Sequence, residues 1–121
     1  MIAYLRALPK VRMTVSDRWK KRTCVLRYWE YADALRKSAE DQNFRLSDEI
    51  SIVFYFKPSP SKSKKVREAM YGKPHKQKPD IDNLLKAVMD ILRKEGDESI
   101  WNIQIRKYWA EENKIIIENI S

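Results

Sequence analysis

Two aspartates stand two positions apart, Asp80 and Asp82, in the stretch "KPDIDNLLKAVMD", directly after a lysine-rich run and where a helical pattern begins. Two carboxylates this close repel one another unless a cation sits between them. An Asp-x-Asp pair sends oxygens from the last extended residue and the first helical turn toward a common point. Hard cations such as Mg²⁺ take a few such oxygens and leave the rest of their shell to water and phosphate. Helix capping also uses a carboxylate, but one suffices for it. The stretch is not an EF-hand loop, because "DIDNLLKAVMDI" has no glycine at its sixth position and no glutamate at its twelfth.

Lys86 follows Asp82 by four residues, one helical turn, and Asp90 follows by another turn, placed to hold Lys86. The bland alternative is an i,i+4 ion-pair ladder worth about 0.2–0.5 kcal/mol per pair. A carboxylate pair for a metal with an ammonium beside it is the equipment of phosphodiester hydrolysis. The metal activates water and neutralises charge on the reacting phosphate, and the lysine adds a fixed positive charge. A third acid from elsewhere would complete the set, and Asp97 in "EGDESIW" stands just before a strand pattern.

Several elements must position these groups. Residues 2–8 alternate as a first strand ended by Pro9. Tyr28, Tyr31, Ala32, Leu35 and Ala39 recur at helical spacing and predict a helix over 28–41. "EISIVFYF" is the clearest strand, with Ile50, Ile52, Phe54 and Phe56 on one face, and Pro58 and Pro60 stop it. Leu84, Leu85, Val88, Ile91 and Leu92 give a second helix over about 82–94 an apolar face, with Asp80 or Asp82 as N-cap. "IWNIQIRKYW" alternates next, with Trp101, Ile103, Ile105 and Trp109 on one side, and "NKIIIENI" closes the chain as a strand after the turn-like "AEEN". The order β-α-β-α-β-β predicts one α+β domain over residues 1–121, a mixed or antiparallel sheet covered by two helices. Residues 57–79 read as a basic loop, mobile or with a turn or two of helix in "KKVREAMYG".

The chain has 121 residues and a net charge of +8, with a pI near 9.6. That balance suits a nucleic-acid partner, and the basic residues cluster. Arg18, Lys20, Lys21 and Arg22 lie in one group, and Lys62, Lys64, Lys65, Lys73, Lys76 and Lys78 in another. Both are candidate DNA contacts; the bland reading is a solvated basic loop. Only two glycines are present, which argues against Gly-rich phosphate loops. Cys24 and His75 each stand alone, so neither an internal disulfide nor a structural zinc site is available. No leader-like or membrane-spanning run is visible, and a cytoplasmic setting is expected.

At the acidic residues the sequence resembles the RusA-type Holliday-junction resolvases, small Mg²⁺-dependent endonucleases often carried by prophages. The pattern is carried by Asp80, Asp82, Asn83, Leu84, Lys86 and Asp90, followed by Asp97, Ile100 and Lys107. The likeness is strong over 74–109, and "RMTVSDRWKKR" and "GKPHKQKPD" resemble one bacterial branch. It implies Asp80, Asp82 and Asp97 as metal ligands, with Mg²⁺ or Mn²⁺ as the ion and Lys86 as the catalytic lysine, Asp90 and Asn83 supporting them. Where the family usually has two acids in a row, this chain has Gly96 and Asp97, with Glu98 next as a substitute. The implied substrate is a four-way DNA junction in recombination and repair. Its two-fold symmetry calls for paired nicks and so for a homodimer. Trp19, Tyr71 and Trp101 are candidates for stacking at the junction centre, against the commoner roles of core or interface. The rival readings are an inactive branched-DNA-binding module, a nuclease for RNA or flapped DNA, and a lysine-rich structural protein.

Overall fold

The computed structural model describes residues 1–11, 23–93 and 96–120, without the side chain of Asp97. Strand β2, Glu49–Phe56, alternates with period two, and Ile50, Ile52, Phe54 and Phe56 are fully buried while Val53 and Tyr55 stay half-buried. Burial of each such side chain contributes about 1.5–3 kcal/mol. β2 is flanked by β3, Asn102–Trp109, in parallel register from Glu49↔Asn102 to Phe56↔Trp109. On its other side lies β4, Lys114–Asn119, antiparallel with Val53↔Ile116. The two-residue β1, Ile2–Ala3, pairs with the far side of β4, giving the order β1-β4-β2-β3. The mixed sheet and the element order are those expected from the sequence.

Parallel neighbours require a crossover. The chain makes it through α2, Lys64–Met70, and α3, Ile81–Leu92. The "AEEN" turn follows β3, yet β4 does not pair with β3; it passes the end of β2 and takes that strand's other side.

Helix α1 runs from Thr23 to Asp41, five residues earlier than the periodicity predicts, and buries Val25, Tyr31, Ala32, Leu35 and Ala39. Asn43 ends it in the left-handed region at φ 51°, and the Phe44 amide donates to the Ala39 carbonyl at 2.8 Å. Helix α3 buries Leu84, Ala87, Val88 and Ile91. One cluster joins these helices to Ile50, Ile52, Phe54, Phe56, Ile115 and Ile117 on a single sheet face.

Two local expectations are corrected. The first strand keeps only Ile2 and Ala3, because the following residues leave the sheet toward α3, where the Lys10 amide donates to the Asn83 carbonyl at 3.2 Å. Trp101 does not share a face with Ile103, because β3 begins after it. Its amide donates to the Asp48 carbonyl at 3.1 Å and its side chain is 72% exposed.

Candidate active site at the start of helix α3

Asp80 occupies the N-cap position of α3 in extended backbone (φ −68°, ψ 143°), but its side chain makes no capping hydrogen bond. Its carbonyl accepts from the Leu84 amide at 3.1 Å, so the backbone caps while the carboxylate stays available. Asp82 lies in the first turn, exposed, and forms no ion pair among the described residues. Both line a cavity of about 780 Å³ whose wall includes Lys76, Lys78, Arg106 and Lys107. Two hard oxygen donors facing solvent, rimmed by cations, fit a hydrated divalent ion that also meets a phosphate.

Residues 72–75 are docked onto the free edge of β3. Gly72 donates to the Trp109 carbonyl at 2.8 Å, Trp109 to Lys73 at 2.9 Å and His75 to Lys107 at 3.0 Å. His75 is 4% exposed, its ring centroid 4.4 Å from that of Phe56 and 4.2 Å from that of Trp109. Burial holds its pKa below the usual 6.5, and the nearby Lys107 charge acts in the same direction. Lys107 Nζ donates to the carbonyls of Gln77 and Pro79, each at 2.7 Å. Burial lowers the pKa of Lys107, while the charge of Asp80 opposes that shift.

Lys86 is exposed on α3 and free of ion pairs among the described residues. Asp90 does not hold it. Asp90 pairs with Lys10, which the crossing N-terminal segment delivers to it. Asn83 meets that same segment through its carbonyl.

Asp97 is placed elsewhere. It opens the 3₁₀ turn Asp97–Ser99. Ser99 Oγ donates to Asp48 at 2.9 Å, just before β2 begins, whereas Pro79 is held by Lys107 near the end of the parallel strand β3. Helix α3 has 12 residues and a length of about 18 Å, with Asp80 at its start and Asp97 in the turn beyond its end. Among the described residues no three His, Cys, Asp or Glu side chains gather closely enough to hold a metal ion. The Glu98 carboxylate occupies the space in which a Cβ at Gly96 would lie, so an acid at position 96 would require Glu98 to swing away.

Of the basic candidates, Lys76 and Lys78 line the cavity. Lys62, Lys64, Lys65 and Lys73 are exposed on or beside α2, with Lys64 3.9 Å from Glu68. Arg18, Lys20, Lys21, Arg22 and Trp19 lie outside the described residues. Sequence reasoning missed Arg106 and the task of Lys107; strand alternation puts Lys107 on the face of Phe54, but no local signal announces its two carbonyl partners.

The sequence matches the family model described as Endodeoxyribonuclease RusA over residues 7–119. The chain belongs to the RusA endodeoxyribonuclease family. The match spans α1, α3, the three long strands and the acidic cavity, so the family's domain and this fold coincide. No curated protein and no solved structure gave a significant match. No helix among the described residues is long and apolar enough to cross a membrane.

Proposed function

We propose that this protein is a divalent-metal-dependent endodeoxyribonuclease that resolves four-way DNA junctions by paired phosphodiester hydrolysis. The observation that carries this reading is the N-cap aspartate that does not cap: Asp80 keeps its carboxylate free beside Asp82, over a cavity rimmed by cations. Asp80 and Asp82 would hold Mg²⁺ or Mn²⁺. Such an ion, when bound, supplies an activated water and neutralises charge on the phosphate oxygens. The chain's own residues do the rest. Lys86, one turn along α3, offers its ammonium to a phosphate oxygen, and Lys76 and Lys78 seat the flanking backbone.

Asp97 is the third ligand in this reading and is supplied by a second copy of the chain, since Asp80 and Asp97 stand at opposite ends of α3. A homodimer then carries two composite sites, matching the two nicks that a two-fold symmetric junction requires. The setting is bacterial or phage-encoded, in the cytoplasm where such junctions arise.

The test is cleavage of a synthetic mobile four-way junction with and without Mg²⁺, beside linear duplex and the Asp82→Asn variant. We expect symmetric paired nicks from the wild type, and from Asp82→Asn a rate lower by about a hundredfold or more with junction binding retained. Cleavage retained in Asp82→Asn removes the site assignment. Binding without nicks at any Mg²⁺ or Mn²⁺ concentration would leave a branched-DNA-binding module in place of a nuclease.

A further inference from the structure

Lys107 sits on the core-facing side of β3, in register with Phe54. That is an unusual place for an ammonium, since a lysine there must find partners or carry a desolvation penalty. It finds two, the carbonyls of Gln77 and Pro79, both at 2.7 Å. Pro79 is the residue immediately before Asp80.

The loop from residue 72 is laddered onto β3 by backbone hydrogen bonds that run as far as the His75 amide. Beyond His75, residues 76–79 make no backbone–backbone bond to the sheet among the described residues. The ladder therefore stops short of the segment that leads into Asp80, and the Lys107 side chain ties that segment to the sheet instead. Two of its three N–H donors are engaged by the carbonyls, and Asp80 is the negative charge that acts on it.

We propose that Lys107 is a positioning residue of the metal site: by fixing the carbonyls of Gln77 and Pro79 it sets the direction in which Asp80 presents its carboxylate. This rests on the reading of Asp80 as a metal ligand. Lys107 shares the cavity wall with Asp80, but its ammonium is engaged by the two carbonyls and acts on the ion through the direction of Asp80. The alternative, a lysine that is merely a neighbouring charge, has the opposite sign. A bare positive charge near the site repels a cation, so its removal would tighten metal binding. Loss of a group that orients a ligand from behind weakens metal binding, typically by about 10- to 100-fold.

The test is Mn²⁺ binding to the DNA-free full chain, followed by electron paramagnetic resonance, for wild type, Asp82→Asn and Lys107→Met. Wild-type binding that Asp82→Asn abolishes establishes the site independently of Lys107; its absence overturns the metal reading and this proposal together. Given that binding, Lys107→Met is expected to bind Mn²⁺ about tenfold more weakly. Its junction affinity in EDTA should be unchanged, and its cleavage should recover at raised Mg²⁺, which Asp82→Asn cannot do. Mn²⁺ binding that is unchanged or tighter in Lys107→Met overturns the proposal. Thermal melting checks the fold. If Lys107→Met does not fold, Lys107→Gln carries the same titration, since it also lacks the charge and is too short to span both carbonyls.

Discussion

His75 has a buried Nδ1 without a hydrogen-bond partner among the described residues, and its ring is held between Phe56 and Trp109. Burial lowers its pKa from 6.5, so the folded chain resists a proton that the unfolded chain accepts. The unfolded state then binds more protons below about pH 6.5, and stability falls as the pH drops through that value; above it the group contributes no pH dependence. Thermal melts of wild type between about pH 7 and pH 5 are expected to show this decline, and His75→Leu to flatten it. An equal slope in both proteins would mean that other groups carry the acid sensitivity. Asp80 departs from habit in a comparable way. A carboxylate at an N-cap ordinarily accepts from the second or third amide of its helix. Here that bond is not made, and the carboxylate is left free at the start of the helix.

The elements are held together by contacts that local patterning does not encode. Arg93, just past α3, donates to the carbonyls of Leu46 at 3.0 Å and Ser47 at 3.2 Å, to the Asp48 carboxylate at 3.0 Å and to Ser99 Oγ at 2.6 Å. Its side chain is only 4% exposed. Arg93→Met leaves those carbonyls without donors and loosens the turn that carries Asp97, so we expect a loss of about 2 kcal/mol in urea unfolding. A loss within error of zero would show that water replaces the guanidinium. Helix α3, strand β2 and the Asp80–Asp82 pair were legible in the sequence, because period 3.6, period 2 and a two-residue spacing are all local signals. The pairing of Asp90 with Lys10, the docking of residues 72–75 on β3 and the distance of Asp97 from Asp80 were not. Each depends on segments far apart in the chain meeting in space, which neither spacing nor composition records.

For the molecule as a whole, the proposed sharing of each site between two copies of the chain can be tested with mixtures. Asp82→Asn and Asp97→Asn should each be inactive alone. If Asp97 acts across a dimer, a mixed dimer of the two variants holds one intact site and one doubly damaged site. Co-refolded mixtures are therefore expected to recover single nicks on a junction, up to about a quarter of wild-type nicking when half the dimers are mixed. No recovery on mixing would place all three acids in one chain or remove Asp97 from the site. Helix α2 buries no residue, yet the chain on either side of it is anchored, with the Lys57 amide on Asn113 Oδ1 at 2.8 Å and the Gly72 amide on the Trp109 carbonyl at 2.8 Å. Residues 59–71 are thus an excursion with fixed ends. Selection can rewrite or resize such a stretch, changing the outline offered to a substrate, while the acidic groups stay where they are. It is also where a laboratory would graft a fluorophore or a purification handle.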